Sequence, residues 1–501
     1  MGSVAVVIRL SDINFGSAAS ENEALSSPEL LLDGFFDPAN WAASAERGGA
    51  CLILGTKGSG KSAIVEHLRL KHEDAADVFV SKSELDELSL DDFSKLQTGE
   101  APGLTRSITA WKFLLMLRVF ESLDSDESAR LAIGPDFDAF KRELQQKGLF
   151  RQSAKQLAWR MSRATLKLDM RGVGAALDFE RTSVHLVQVV ELMTRVLKNA
   201  GGNRHIVALD GLDGVIPQTE NEWQALTGLV EAAVRLNREL AGTGLKLLVL
   251  MRTDMYDRLP GTNTQKHKTD SALLIQWHDG TAADPGHFLF GMVNRKAAVS
   301  RPGLADVLEQ YFPREIKFSS GRTLETWKFL LDYTRYTPRD VLQLLNAIAR
   351  RGTTDGRLRP LRVQNGAADY SLNYFVGEAR NGINGFFEWS RVDEVFRALG
   401  QLKSQAFSFS EFTDALPGWS DDDLTRSMRH LYEVGAVGER VGPRGTQHTN
   451  FSFRNPNVVP RLDGNLLLQS ALCRGLNVQW AGADGSASAA NVRKRRRPRR
   501  A

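Results

Sequence analysis

Residues Gly55 to Ser62 have the types and the spacing of a loop that binds phosphate. They read GTKGSGKS, and the glycines lack a Cβ atom, so the backbone can adopt positive φ and approach a phosphate closely. Lys61 is placed to reach the β- and γ-phosphates of a nucleotide, and the hydroxyl of Ser62 is placed to bind Mg²⁺. The pattern therefore predicts a site for a nucleoside triphosphate with Mg²⁺. The residues predicted to contact the nucleotide here are Gly55, Thr56, Lys57, Gly58, Ser59, Gly60, Lys61, Ser62 and Ala63.

The segments on either side of this loop predict the strand and the helix that such a loop needs. Cys51 to Leu54 are apolar and predict a buried parallel strand, and Ala63 to Leu70 have the apolar spacing of an amphipathic helix. A strand that enters a helix through glycines directs backbone N–H groups and the positive end of the helix dipole at one point, which favours phosphate. The alternative is a glycine-rich turn without a ligand.

Two acidic residues follow a later apolar segment. Ile206 to Leu209 predict a buried strand that ends at Asp210, and Asp213 lies three residues further along. Ligands of parallel sheets bind at the carboxyl ends of the strands, so Asp210 is predicted to hold Mg²⁺. Asp213 is close enough to orient an attacking water. The alternative for both acids is a cap of a helix or turn.

A fourth predicted strand, Leu245 to Met251, also ends in polar residues. Thr253 can donate a hydrogen bond to the water or the phosphate, and Arg252 can supply positive charge during phosphoryl transfer. The alternative is a surface salt bridge between Arg252 and Asp254.

A helix with a clear amino-terminal signal begins near Thr337. Thr337 fits the N-cap, Pro338 the first helical position and Asp340 the first turn. This capping leaves Arg339 at the start of the helix, where it can reach a nucleotide phosphate. A solvated first-turn arginine is the alternative.

The remaining apolar segments complete an α/β pattern. Asp77–Ser81 and Leu273–Trp277 predict two more strands. Phe35, Phe36 and Trp41 are predicted to pack in the core, with contact to a nucleotide base as the alternative. The segment of roughly 120 residues between the second and third strands is too long for a connection and predicts a helical insertion, suited to a partner or oligomer contact. The helices predicted there are Ser107–Leu123, Asp136–Gln146, Arg151–Leu166 and Thr182–Asn199, interrupted by a β-like piece at Gly172–Phe179.

Composition indicates a globular protein of a reducing compartment. The chain has 501 residues, of which 25% are charged and 42% hydrophobic, a length that suits about three domains. Its two cysteines, Cys51 and Cys473, give no disulfide framework. No apolar run reaches the length of a membrane span, and no secretory signal is recognisable. We therefore expect a cytoplasmic protein without membrane contact.

Positive charge is concentrated at the carboxyl end of the chain. The formal net charge is +4, and Arg493–Arg500 (RKRRRPRR) carries seven basic residues, so the rest of the chain is slightly acidic. A basic arm on such a body suggests an acidic partner, with nucleic acid as the first candidate. A solvated tail without a specific partner is the alternative.

The pattern from Trp389 to about Trp480 predicts a winged helix, with the order helix, strand, helix, helix and β-hairpin. The third helix begins with Asp421, Asp422 and Asp423, which favour the helix dipole but repel a phosphate backbone. The module is therefore predicted to be an interaction or autoinhibitory surface, with a DNA reader as the alternative. The basic residues that favour DNA are Arg440, Arg444 and Arg454.

Together these elements predict the α/β class: a P-loop NTPase parallel sheet with a helical insertion and a helical lid, followed by a winged helix and a basic disordered tail. The predicted divisions are an amino-terminal segment at 1–30, a P-loop core at 31–290 with its insertion at about 82–200, a lid at 291–388, the winged helix at 389–480 and the tail at 481–501.

With these residues placed, the chain resembles ATPases of the STAND/AAA+ group, similar to NACHT and KAP NTPases and to archaeal origin-recognition ATPases. The resemblance covers roughly residues 30 to 350. Its motifs are GTKGSGKS at Gly55–Ser62, LDGLDG at Leu209–Gly214, LMRTD at Leu250–Asp254 and YTPRD at Tyr336–Asp340.

The resemblance implies ATP with Mg²⁺, homo-oligomerisation through the ATPase module, and a role in signalling, phage defence or DNA handling. One departure concerns catalysis, because the glutamate that directly follows the metal-binding Asp in typical AAA+ proteins is replaced by Gly211. NACHT-like proteins also carry an acidic pair where this chain has Asp213 and Gly214. The sequence hypothesis is therefore a slowly hydrolysing ATPase that acts as a nucleotide-dependent switch with a protein partner. The alternatives are an ATP-regulated DNA-binding protein, acting as loader or regulator, and a nucleotide-binding scaffold without turnover.

Overall fold

The computed structural model describes residues 9–85, 88, 90, 103–163, 186–278, 287–318, 321–351, 356–442, 448–454, 458 and 460–479. The chain divides into two compact units. The first, here called the sheet unit, consists of Ala24–Leu32 and Asp37–Ile275. The second, here called the C-terminal unit, consists of Met1–Glu23, Asp33–Phe36 and Gln276–Ala501. The finer domain bounds predicted above stay predictions.

A five-stranded parallel sheet forms the centre of the sheet unit. Its order is β2-β3-β4-β1-β5, and every neighbouring pair is parallel. The predicted α/β class is confirmed, and all five predicted strands are present with slightly shifted ends. The strands are β1 (Leu52–Gly55), β2 (Val78–Glu84), β3 (Arg204–Asp210), β4 (Leu245–Arg252) and β5 (Ala272–Ile275).

The apolar content of each strand matches its place in the sheet. All four residues of β1 are buried, as are seven of the eight residues of the central strand β4, because parallel strands are covered on both faces. The edge strand β2 is mostly half-buried and ends in the polar sequence Ser-Lys-Ser-Glu. Its open position explains why polar residues are tolerated there.

Helices of the sheet unit cover the sheet and form the predicted insertion between β2 and β3. Within the insertion, the β-like piece predicted at Gly172–Phe179 lies outside the described residues. The helices are α2 (Glu29–Leu32), α3 (Trp41–Arg47), α4 (Lys61–Lys71), α5 (Gly103–Leu123), α6 (Glu127–Ile133), α7 (Pro135–Gln146), α8 (Ala154–Arg163), α9 (Leu186–Lys198), α10 (Glu220–Glu239), α11 (Thr253–Tyr256) and α12 (Thr264–Ser271), with α1 (Ser20–Ser26) ahead of them.

Helix α5 ties the insertion to the core of the sheet unit. Its Trp111 is fully buried and donates a 2.8 Å hydrogen bond from Nε1 to the carbonyl oxygen of Ala225 on α10. Gly228 on α10 permits the close approach, since a Cβ atom there would lie 2.6 Å from the Cβ of Ser107. The insertion is thus part of the same hydrophobic core as the sheet.

The C-terminal unit begins with helices and one short β-hairpin. The side chain of Asn346 donates a 2.9 Å hydrogen bond to the carbonyl oxygen of Gly16, which attaches the amino-terminal segment to this unit. The elements are α13 (Phe288–Ser300), α14 (Val307–Tyr311), β6 (Glu315–Lys317), β7 (Thr323–Glu325), α15 (Thr326–Asp332), α16 (Pro338–Ala349), α17 (Pro360–Tyr370), a π-helical turn at Ser371–Phe375 and α18 (Val376–Ile383).

The last described part of this unit contains the predicted order of helix, strand, helix, helix and hairpin, followed by a strand and a helix that were not predicted. Its strands form an antiparallel sheet in the order β10-β9-β11-β8. The predicted hairpin corresponds to β9 and β10, whose connection at 443–447 lies outside the described residues, as does the basic tail. The elements are α19 (Trp389–Gly400), β8 (Ala406–Phe407), α20 (Phe409–Thr413), α21 (Asp421–Glu433), β9 (Val437–Val441), β10 (His448–Asn450), β11 (Asn465–Leu468) and α22 (Ser470–Gly475).

Candidate functional site

The loop between β1 and α4 has the conformation that phosphate binding needs. Gly58 and Gly60 have φ angles of 82° and 97°, a region that side chains with a Cβ atom rarely adopt. Gly60 is the N-cap of α4, which begins at Lys61. Because glycine has no side chain with which to cap the helix, the first N–H groups of α4 face the loop. The predicted residues Gly55 to Ala63 are therefore brought together around one helix terminus.

Lys61 is folded back onto this loop. Its Nζ donates hydrogen bonds of 3.3 Å to the carbonyl oxygens of Gly55 and Thr56, and the residue is only 6% exposed. Burial lowers the pKa of Lys61, and the negative charges of Asp213 and Asp210 oppose that effect. The ammonium group thus lies against the loop carbonyls, and the charges of both predicted acids act on it.

Ser62 and Asp210 meet although they lie on different elements. The hydroxyl of Ser62 donates a 2.6 Å hydrogen bond to Oδ2 of Asp210, and Oδ1 of Asp210 accepts a 2.8 Å hydrogen bond from the N–H of Gly211. A hydroxyl and a carboxylate are the hard oxygen donors that Mg²⁺ prefers. The two residues predicted to bind the metal therefore fit that ion.

Asp213 lies in a 3-10 turn, Leu212–Gly214, directly after β3. It is half-buried and is the acid that most strongly opposes the burial effect on the pKa of Lys61. The role predicted for Asp213, orienting an attacking water, stays a prediction.

The tip of β4 carries an ion pair. Arg252 donates from Nε to Oδ1 of Asp254 at 3.0 Å and from Nη2 to Oδ2 at 2.5 Å, and its side chain is 6% exposed. Burial would raise the pKa of Asp254, but Arg252, Arg258 and Lys61 lower it below its usual value. The salt bridge offered as an alternative is therefore formed, between a buried arginine and a half-buried aspartate. Thr253 is half-buried at the first position of α11.

Two residues of this site, Lys82 and Glu84, were not predicted from the sequence. Lys82, near the end of β2, has its Nζ 3.3 Å from Oδ2 of Asp210, 2.8 Å from Oε1 of Glu84 and 3.5 Å from Oε1 of Glu66. Its side chain is 8% exposed. The signal was present, because the apolar alternation of β2 gives way to Lys82 and Glu84 at the strand's carboxyl end.

Arg339 lies in the C-terminal unit, at the second position of α16. The predicted cap is confirmed, since the hydroxyl of Thr337 accepts a 3.2 Å hydrogen bond from the N–H of Asp340. Arg339 is half-buried, and its contact with a nucleotide stays a prediction. Asp340 is fully buried and binds Arg335 through two 2.8 Å hydrogen bonds, a contact the sequence did not reveal.

The aromatic residues ahead of β1 are mostly inside the protein. Trp41 is 7% exposed in the sheet unit, which agrees with the predicted core packing. Phe36 is half-buried in the C-terminal unit and packs against Gly291, where a Cβ atom would lie 2.7 Å from its ring. Phe35 is half-buried.

Two of the three basic residues predicted to favour DNA lie in the described part of the last module. Arg454 donates to Asp332 at 3.4 Å and to the hydroxyl of Tyr336 at 3.2 Å, and Arg440 is half-buried. At the start of α21, Asp423 accepts 2.7 Å hydrogen bonds from two arginines, Arg391 and Arg426. Arg444 lies outside the described residues.

Both cysteines are buried and free. Burial raises the pKa of the Cys51 thiol to about 11 and raises that of Cys473 as well, so neither is a reactive thiolate. Among the described helices, none is both long enough and apolar enough to cross a membrane.

Comparisons with known proteins identify no family. No family model matches the chain, and no curated protein matches it. Eight chains of solved structures match, and one is the Aeropyrum pernix ORC1 protein, solved in complex with DNA. The chain is similar to it at 13% identity over 91% of this chain and 96% of that one, with a TM-score of 0.37. A likeness at this TM-score carries no argument about function.

Proposed function

We propose that the chain is an ATP-binding, slowly hydrolysing P-loop ATPase that acts as a nucleotide-dependent switch, with bacterial defence or signalling as its setting. The observation that carries the proposal is the 2.6 Å hydrogen bond between Ser62 and Asp210. It joins the phosphate-binding helix to the acid at the tip of β3, and so brings together the two oxygen donors that an ATPase needs beside its phosphate loop.

The loop residues would bind the phosphates through backbone N–H groups and through Lys61. On ATP binding, Lys61 exchanges its hydrogen bonds with the carbonyls of Gly55 and Thr56 for ionic hydrogen bonds with phosphate oxygens. Ser62 and Asp210 would hold Mg²⁺, which when bound supplies positive charge that stabilises the phosphates during transfer. Thr253 can donate a hydrogen bond to the γ-phosphate or the water from the tip of β4.

Two features support slow turnover. Gly211 follows Asp210 directly and brings no carboxylate to that position. In addition, Arg252 is bonded to Asp254 and must leave this partner before it can act on a phosphate. Nucleotide binding would then matter mainly through conformation, coupled to a homo-oligomer and to an unidentified protein partner. This behaviour would match STAND/AAA+ ATPases.

The test is hydrolysis of Mg-ATP by the full chain beside Lys61→Ala. Lys266→Ala is the matched control, because Lys266 is an exposed lysine of α12. We expect slow turnover by the wild type and the control, little by Lys61→Ala, and an oligomeric state that changes with ATP. A rate that is equal in wild type and Lys61→Ala would contradict the ATPase, and ATP binding by the wild type without turnover above that of Lys61→Ala would favour a nucleotide-binding scaffold.

A second candidate is an ATP-regulated DNA-binding protein that uses a winged helix and the basic tail. It is favoured by the element order and antiparallel sheet of the last module, with β9 and β10 as the wing. It is disfavoured by the acids at the start of α21 and by the internal contacts of Arg454. A DNA binder that contacts several phosphates should lose orders of magnitude in affinity between about 50 and 200 mM salt. ATPase stimulation by double-stranded DNA at low salt would support this candidate.

A further inference from the structure

We propose that Glu84 is the carboxylate that orients the attacking water in this site and that Lys82 positions it. The inference rests on the proposed ATPase function and names a carboxylate on β2, not at the position of Gly211, that would account for the slow turnover proposed above. It is carried by the place of both residues at the carboxyl end of β2.

Strand register puts Glu84 beside Asp210. β2 and β3 are parallel, and Glu84 is the register partner of Asp210. Side chains of register partners on adjacent parallel strands point to the same face of a sheet. Consistent with this, carboxylate oxygens of Glu84 and Asp210 lie within 4.8 Å of each other.

That face is the one that carries the phosphate-binding helix. Ser62, on the first turn of α4, is bonded to Asp210, and Glu66, one turn later, lies 3.5 Å from Lys82. Lys82 and Glu84 are two residues apart on one strand, so both side chains lie on this face. The carboxylate of Glu84 is therefore on the nucleotide side of the sheet, next to the residue predicted to bind the metal.

Lys82 fixes the carboxylate in this place. Its Nζ lies 2.8 Å from Oε1 of Glu84 and 3.3 Å from Oδ2 of Asp210. One ammonium group thus bridges the two acids and offsets the repulsion between them. Its side chain is 8% exposed, whereas that of Glu84 is 47% exposed. The lysine is held inside the site while the glutamate keeps access to water.

The other candidate, Asp213, has no comparable place in the sheet. It lies in a turn after β3 and not in strand register with Asp210. Of these two acids, Glu84 is therefore the one that strand pairing places beside Asp210.

The step assigned to Glu84 is that of a general base in hydrolysis. The oxygen of a water that donates a hydrogen bond to Glu84 forms a bond to the γ-phosphorus. The bond between that phosphorus and the bridging oxygen breaks, and the electron pair leaves on ADP. The proton of the water passes to Glu84 and from there to solvent, so ATP and water give ADP, inorganic phosphate and a proton.

The experiment compares Glu84→Gln, Glu84→Asp, Lys82→Met and Lys82→Arg with the wild type in the full chain. The matched control is Glu73→Gln, because Glu73 is an exposed glutamate that precedes β2 at its amino end. For each variant the single-turnover rate with Mg-ATP, the affinity for a fluorescent ATP analogue and the thermal melting temperature are measured.

We expect Glu84→Gln to lower the single-turnover rate about 10²- to 10⁴-fold, the range of general base catalysis, with ATP affinity and melting temperature unchanged. Lys82→Met should lower the rate without lowering affinity, and Lys82→Arg should recover part of it, as expected of a positioning residue. Glu73→Gln should behave as wild type. Loss of the rate together with ATP affinity in Glu84→Gln would make Glu84 a binding residue and overturn the inference.

Failure of the inference can be distinguished from failure of the proposed function. If the wild type hydrolyses ATP no faster than Lys61→Ala, the proposed ATPase activity is wrong, and so is the role of Glu84 in it. If the wild type hydrolyses faster than Lys61→Ala while Glu84→Gln keeps the wild-type rate, the ATPase stands and only the role of Glu84 is overturned.

Discussion

Ser62 and Asp210 are 148 residues apart in the chain and are joined by a 2.6 Å hydrogen bond from the serine hydroxyl to the aspartate carboxylate. Helix α4 connects β1 to β2, and β4 and β3 lie between these two strands in the sheet, so α4 leaves the tip of β1 on the side where β3 lies. Removal of either oxygen should therefore weaken Mg²⁺-dependent ATP binding more than it lowers the stability of the fold.

Ser62→Ala should reduce ATP affinity only when Mg²⁺ is present. Loss of a hydrogen bond to a charged group costs about 1.5–3 kcal/mol, which corresponds to a loss of roughly 10- to 100-fold in affinity. Titration of a fluorescent ATP analogue with Mg²⁺ and with excess chelator measures the difference. Ser44→Ala on α3, away from the loop, is the control. An equal loss with and without Mg²⁺ would show that Ser62 acts on the nucleotide and not through the metal.

Removal of one partner of the Arg252–Asp254 pair should destabilise the sheet unit more than removal of both. Arg252→Ala leaves a carboxylate without its buried partner, a change that costs about 3–5 kcal/mol. We expect a cost at the lower end of this range, because the Asp254 side chain is 25% exposed to solvent. Urea denaturation gives the free energy of unfolding of Arg252→Ala, Asp254→Ala and the double variant. The three values together give the coupling energy between the two side chains. Lys268→Ala, which breaks the more exposed pair with Asp257, is the control, and additive single effects would contradict the coupling.

Much of the sheet unit was predictable because its signals are local. An apolar run followed by a polar residue marks a buried strand and its tip, and this pattern located β1, β3 and β4 together with Asp210 and Arg252. The Thr337 cap of α16 was predictable for the same reason, since the hydroxyl and the N–H of Asp340 are three residues apart.

Contacts that depend on register or on distant burial could not be read in this way. The predicted second strand stopped at Ser81, where apolar alternation ends, and so excluded Lys82 and Glu84. Their importance depends on the pairing of Glu84 with Asp210, which a single sequence does not display. Asp340 was predicted as an acid in the first turn of the helix, whereas its complete burial against Arg335 follows from packing within the C-terminal unit.

The stability of the sheet unit should depend on pH through Glu46. This buried carboxylate accepts a 2.9 Å hydrogen bond from Lys71 and a 3.0 Å hydrogen bond from Arg204. Burial would raise the pKa of Glu46, but these two bonds and the charges of Lys71 and His72 lower it from 4.5 to about 2. Because the pKa is lower in the folded state, the stabilisation is complete above pH 4.5 and is lost as the pH falls toward 2.

Glu46→Gln should therefore be less stable than the wild type at pH 7, and this difference should shrink between pH 4.5 and 2. Urea midpoints at pH 7, 5, 4 and 3 measure it, with the exposed Glu73→Gln as the control that should follow the wild type throughout. A difference that stays constant across this range would show that Glu46 acts through packing and not through its charge.

The C-terminal unit should depend on the pair formed by Arg335 and Asp340. Burial disfavours the charged arginine, yet Asp340 outweighs this effect and raises the pKa of Arg335. Arg335→Met leaves the fully buried Asp340 without its main partner, at a cost of about 3–5 kcal/mol. The double variant Arg335→Met/Asp340→Asn removes the unpaired charge but keeps an acceptor for the N–H of residue 335, which bonds Asp340 at 3.0 Å.

Hydrogen exchange of the α16 amides in the full chain measures this effect locally, so the two units need not unfold together. We expect protection to fall by two orders of magnitude or more in Arg335→Met, about 3 kcal/mol at the conversion of 1.4 kcal/mol for each tenfold change, and to recover in part in the double variant. Arg351→Met is the matched control, because its pair with Asp369 is on the surface and surface pairs contribute little. An unpaired carboxylate at full burial should cost stability. If the α16 amides were as well protected from exchange in Arg335→Met as in Arg351→Met, the buried pair would therefore not stabilise this unit.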